Sequence, residues 1–296
     1  MSATILKDTG TVPPSAPPSG RKALRASPGT FLVWGGMALF LILLFGVVAS
    51  VVVNSFAGQW FDSWFPSGYT TAWYGEAWQQ YDLGQVVSTT VIVAVAVVGI
   101  SVLIGAPASY VLARRSFPGK NIVMLVFLLP IMMPPITYGI PLATLLTYYH
   151  LAPGLTGVIL ANLVPSVPFV ILTMTPFIEQ INPSIESAAR MCGANMTRLF
   201  TRILAPLLIP GVLAAAVLVL VRTVGMFELT FLTSNSSSDT LVVALFTAMT
   251  GAGIRAQQSV DAMAVIYMLM MMVLLIVALR FVNPTQLVSQ VREDVD

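Results

Sequence analysis

Polar and apolar positions divide this chain into long apolar runs separated by short polar connections. Six runs fall at about 31–53, 86–113, 121–146, 154–178, 207–232 and 261–282. Each has about 20 residues or more, enough for a helix to cross about 30 Å of hydrocarbon. Runs three and four carry Pro130, Pro134, Pro135, Pro141, Pro165, Pro168 and Pro176. Such helices are expected to kink or break, either as ordinary membrane-helix prolines or where a polar pathway satisfies the freed carbonyls. Residues 1–30 are rich in Pro, Ser, Gly and Thr and have no hydrophobic period, which predicts a disordered tail. The apolar run after it is too long for a signal peptide, and no small-x-small site clearly ends it.

One polar insert interrupts the second half, Asn182 to Pro206. Asn182 can cap a helix, Pro183 suits its first turn, and Glu186 lies near the positive end of its dipole. Ser187, Ala188 and Ala189 give that helix a face with almost no bulk. Gly193 can adopt the positive φ of a sharp turn. A second amphipathic segment follows, with Met196, Leu199, Phe200, Ile203 and Leu204 on one side and Arg198 and Arg202 on the other. Pro206 is expected to end this unit where the fifth run begins.

Composition then sets the class. The chain is 57% hydrophobic and 9% charged, with a mean hydropathy of +0.88. Soluble domains carry about 25% charged residues, so this is an integral membrane protein. One cysteine, Cys192, excludes an internal disulfide, and one histidine, His150, excludes a multi-histidine metal site. Cys192 reads as a small packing residue, and His150, beside Tyr148 and Tyr149, as an interfacial one.

Charge placement gives an orientation. Twelve of the 14 Lys and Arg residues fall on one side of a six-span arrangement, all but Arg222 and Arg255. The positive-inside rule puts both termini and the 179–206 loop in the cytoplasm. The opposite side receives 54–85, with Asp62, Glu76, Asp82, Trp60, Trp64, Trp73 and Trp78 and no basic residue. Those tryptophans fit an interface belt or a small outer helix.

Arg222 and Glu228 are the chief ionisable groups within the runs. Arg222 lies 16 residues beyond Pro206, about 24 Å up a helix, in the outer half of the membrane. Intramembrane charges normally face protein or water. The two are expected either to line a translocation pathway, with Met226 and Phe227 as apolar lining, or to be structural. On a straight helix they project about 240° apart, so they pair only if Gly225 bends it.

The frame Ser187-Ala188-Ala189, three residues, Gly193, nine residues, then Ile203-Leu204-Ala205-Pro206 resembles the EAA loop of permease subunits of bacterial ATP-binding cassette importers. Ser187 and Ala205 depart from the usual Glu and Leu, and Met191 sits where an Asp is common, while Glu186 precedes the motif. Residues 61–78, 108–120 and 239–246 are similar to segments of the spermidine/putrescine group of such permeases. The resemblance implies an all-α integral membrane protein: a permease domain over 31–290 of six transmembrane helices in the MetI-like fold, with a cytoplasmic coupling helix and a short cytoplasmic end at 291–296. It implies a multi-pass protein of the bacterial inner membrane, surrounded by lipid. The implied partners are a second homologous permease, two ATPase subunits and an external solute-binding protein; no nucleic acid is involved. Glu186, Ser187, Ala188, Ala189, Gly193, Ile203 and Pro206 are the implied ATPase-coupling residues. No G-x-x-x-x-G-K-[ST] phosphate loop occurs, so ATP and magnesium belong to partner subunits and this chain is expected to be no enzyme and to hold no cofactor or metal. The implied solute is polyamine-like or a related small organic compound; a maltose-type sugar permease is the alternative. A membrane-embedded enzyme would need ionisable groups gathered within the runs, and a secondary carrier often has an inverted hydropathy repeat; neither is evident.

Overall fold

The computed structural model describes residues 28–58, 66–251 and 256–281. Trp60, Trp64, Asp62, Arg255, the 1–27 stretch and the 291–296 end lie outside them. The chain divides into two units, residues 1–48 and 49–296. In the first, the described part is the beginning of helix α1 (Pro28–Phe56), uncharged and mostly apolar.

The second unit is helical; among the described residues its β structure is one isolated bridge, Ala57 with Tyr69. After a short helix, α2 (Ala72–Gln80), come α3 (Leu83–Arg114), α4 (Lys120–Met132), α5 (Pro135–Tyr148) and α6 (Leu155–Gln180). The polar insert forms α7 (Pro183–Met191) and α8 (Met196–Leu199). A π-helical turn, Phe200–Leu204, leads into α9 (Ala205–Val224), followed by α10 (Glu228–Thr233), α11 (Leu241–Thr250) and α12 (Gln257–Phe281). Among the described residues five helices are long and apolar enough to cross a membrane; the bent pair α4–α5 would make six.

The third run, 121–146, breaks as its prolines led one to expect, into two helices at 98°. Consecutive prolines are the reason. Met133 and Pro134 each precede a proline, which disfavours helical ψ, and they sit at ψ 141° and 131°. Isolated prolines act differently: α6 contains Pro165, Pro168 and Pro176 and stays one helix.

The fifth run is corrected at both ends. Pro206 does not end the polar insert; α8, the π turn and α9 run on as one helical segment, Met196–Val224. Pro206 lacks an N–H to bond the preceding turn, and the chain widens there, the Ala205 N–H reaching back to the Phe200 carbonyl. At its C-terminal end α9 stops at Val224, not 232, and the short α10 takes over. Asn162 of α6 holds α10 through Thr230, Nδ2 to Oγ1 3.3 Å.

The main core lies between α3, α6 and α9, with Val97, Val170, Met174, Ile178, Leu208, Ala215 and Val219 buried. Gly105 permits the approach of α3 to α6: a Cβ there would stand 2.6 Å from Val170 Cγ1. A second cluster joins α2, α3, α11 and α12 around Leu83, Leu241 and Met263. Thr90 of α3 accepts the Leu241 N–H at 2.8 Å and so fixes the start of α11.

Candidate functional site

Two places gather the residues singled out from the sequence, the α6–α9 connection and the break after α9. In the first, local chemistry behaves as expected. Asn182 Oδ1 accepts the Ser184 N–H at 2.9 Å, and Pro183 occupies the first helical position of α7. Gly193 sits at φ +80°, where L residues are strained. Its turn is closed by Ala194 N–H donating to Ala189 O at 3.0 Å. Asn195, which the sequence reading passed over, caps the second limb by accepting the Arg198 N–H at 2.9 Å; an Asn just before an amphipathic stretch was the available signal.

The faces of α7 differ from the expected ones. Glu186 is buried at 8% exposure. Its Oε2 accepts the Tyr110 hydroxyl at 2.7 Å and its Oε1 accepts Arg114 Nε at 2.7 Å. Arg114 Nη2 also donates to the Ile181 carbonyl at 2.6 Å. Glu186 therefore points into the molecule. Ala189 packs against the α3–α6–α9 core as well, so it does not belong to a free smooth face. The outward stripe is Ser184, Ser187, Ala188 and Met191, with Met191 84% exposed. Their spacing of three and four places them on one side of α7. Ile203 packs against the inner core, and Pro206 is exposed. Arg190, Arg198, Arg202 and Cys192 are exposed. Glu186, the one acid of the α6–α9 connection, is largely buried, and the exposed charges of the connection are all positive. A cleft of about 290 Å³ opens beside the Glu186 carboxylate, with Arg115, Ser187 and Arg190 on its walls.

At the second place the helix ends in an ordinary conformation, Gly225 at φ −84° and ψ −2°. Arg222 lies 5.5 Å above the ring of Phe169 on α6, an attractive cation–π arrangement. Glu228 opens α10 and is partly exposed. The two form no ion pair; among the described residues Arg114–Glu186 is the salt bridge. Phe227 stacks with Phe231, centroids 5.2 Å apart, and meets Phe246 of α11 at 4.7 Å. Met226 is buried with Leu146, Ala152, Ala161 and Leu229.

The model of the family described as "Binding-protein-dependent transport system inner membrane component" matches residues 101–285. A probable molybdenum ABC transporter permease of Haloferax volcanii is 30% identical over 45% of this chain and 52% of its own length. The trehalose transport system permease protein SugB of Mycobacterium tuberculosis is 35% identical over 41% and 44%. The chain thus spans about half the length of these curated relatives. A crystal structure of a bacterial ABC transporter that imports the acidic polysaccharide alginate superposes with a TM-score of 0.64 at 16% identity, over 91% of this chain and 98% of that one. That likeness shows the fold. Neither curated relative is named as a polyamine permease, so the resemblance to the spermidine/putrescine group finds no support in them.

Proposed function

Since the chain belongs to the family of inner-membrane components of binding-protein-dependent transport systems, we propose that it is a permease subunit of an ATP-binding cassette importer, with α7 as its coupling helix. A second permease would complete the pathway, two ATPase subunits would bind and hydrolyse ATP with magnesium, and an external binding protein would deliver the solute. The observation that carries the reading is α7 itself. It is short, capped at Asn182, turned back at Gly193, and presents the low stripe Ser184, Ser187 and Ala188 with Met191 projecting at its end. Low side chains on a rigid helix suit insertion into a partner's groove, and an exposed Met suits an adaptable apolar pocket. In this reading Ser187, Ala188 and Gly193 serve docking, while Glu186, Ala189 and Ile203 hold the loop from within and Pro206 belongs to the start of α9.

The test is co-purification with the cognate ATPase. Ala188→Trp places a large side chain on the exposed stripe, where it should abolish ATPase capture while leaving the permease folded. Retained capture would exclude α7 as the docking element.

For the solute we favour a hydroxylated or oxyanionic compound, the classes in the names of the trehalose and molybdenum relatives, over a polyamine. Arg222, Phe227 and Glu228 are the pathway candidates, Arg222 and Glu228 as separate charges. A thermal-shift screen of the cognate binding protein against sugars, oxyanions and polyamines tests this; stabilisation by polyamines alone would overturn it.

A further inference from the structure

The inward carboxylate of α7 ties together elements that the chain itself does not join. Arg114 is the last residue of α3, and its guanidinium donates in two directions, to Glu186 on α7 and to the Ile181 carbonyl just past α6. A planar fork suits such double duty. Tyr110, one turn back on α3, satisfies the second carboxylate oxygen. The Tyr110 ring also meets Phe200 edge-on at 5.0 Å, in the π turn of the second limb. The C-terminal end of α3 therefore grips the end of α6, the first turn of α7 and the entrance to α9. The Arg114 and Glu186 side chains are only 12% and 10% exposed. Separating a buried ion pair leaves two desolvated charges, so these elements resist moving apart.

We infer that Tyr110 and Arg114 are positioning residues that make α7 and α3 one rigid body. A displacement imposed on the outward face of α7 then passes directly into α3, and through the close Gly105–Val170 contact into α6. Without the clamp α7 would hinge about its two ends, Asn182 and Gly193, and only the chain itself would carry the push into α6 and α9. The inference rests on the reading of α7 as the coupling helix. Neither Tyr110 nor Arg114 touches solute or nucleotide; they act through Glu186.

The experiment uses the complete importer in proteoliposomes and reads ATPase co-purification, ATP hydrolysis and solute transported per ATP. Tyr110→Phe, Arg114→Gln and Glu186→Gln should each retain ATPase capture and hydrolysis. Transport per ATP should fall, by about tenfold for the two charge removals, within the range produced along coupling networks. The exchange Arg114→Glu with Glu186→Arg should recover part of the loss. A second variant guards against misfolding. In a Cys192→Ser background, Arg114→Cys and Glu186→Cys joined by a short bifunctional thiol reagent replace the clamp with a covalent one. Joining should restore transport per ATP. Unchanged transport per ATP in the single variants, or a joined variant that stays uncoupled, overturns the rigid-body inference. Loss of ATPase capture in Glu186→Gln also overturns it, since the carboxylate would then act outward. A wild-type complex that captures no ATPase defeats the coupling-helix reading instead.

Discussion

At the α6–α9 connection the buried charges are paired. Glu186 has three-way support from Tyr110, Arg114 and the turn that Arg114 braces at Ile181. At the break after α9 the charges stand apart: Arg222 rests on an aromatic face and Glu228 begins a new helix. Their glycines differ in the same way. Gly193 sits at φ +80°, where another residue would be strained, whereas Gly225 is at φ −84°, open to any residue. The α6–α9 connection is thus built to hold one geometry. The break after α9, where three phenylalanine rings from α10, its entry and α11 close on one another, can rearrange without separating an ion pair. Under the proposed function, the paired region would receive the force and the unpaired one would open to the solute.

The contrast requires the two regions to lie on opposite sides of the membrane, and that is the largest effect to look for. In a Cys192→Ser background, Ser67→Cys and Ser237→Cys should react with an impermeant thiol reagent from outside the cell, and Ser184→Cys should not. Labelling of Ser184→Cys from outside would invert the arrangement.

Stability comes next. Glu186→Ala removes the ion partner of the largely buried Arg114 and should destabilise the permease by about 1–3 kcal/mol, read from unfolding in detergent. Arg222→Gln removes a cation–π contact and should change the same measurement by less than about 1 kcal/mol. Equal losses would erase the distinction between the regions. Gly193→Val should lose about 1–2 kcal/mol from its left-handed backbone. Apart from its chain neighbours, nothing lies within 4 Å of where its Cβ would sit, so the penalty is conformational. Gly193→Asn should therefore keep both stability and ATPase capture, and a failure of Asn equal to that of Val would indicate a packing role.

The smallest effect separates Arg222 from Glu228. A double-mutant cycle with Arg222→Gln and Glu228→Gln, read as transport, should show a coupling below about 0.5 kcal/mol, as for independent sites. A larger coupling would mean that the two charges meet during transport.

Local features were legible in the sequence because their causes are local. The Asn182 cap, the first-turn Pro183, the positive φ at Gly193 and the long apolar helices each depend on residues within a few positions of one another. Consecutive Pro134 and Pro135 marked a break on the same terms, though not its angle of 98°. What periodicity reports is which residues share a face, not what that face meets. Glu186 could be placed in the first turn of α7, but its partners are 72 and 76 positions away. Tyr110 and Arg114 share one face of α3 at a spacing of four, yet Arg114 read only as one more inside positive charge. The same limit hid the burial of Ala189 and Met226, and it hid Phe246 as the ring against Phe227. Those pairings are decided by the packing of α3, α6 and α9 and the inward turn to α10. Close approach at Gly105 sets how near the C-terminal end of α3 comes to α6 and α7, and only that proximity turns a carboxylate and a guanidinium from separate surface charges into a largely buried clamp.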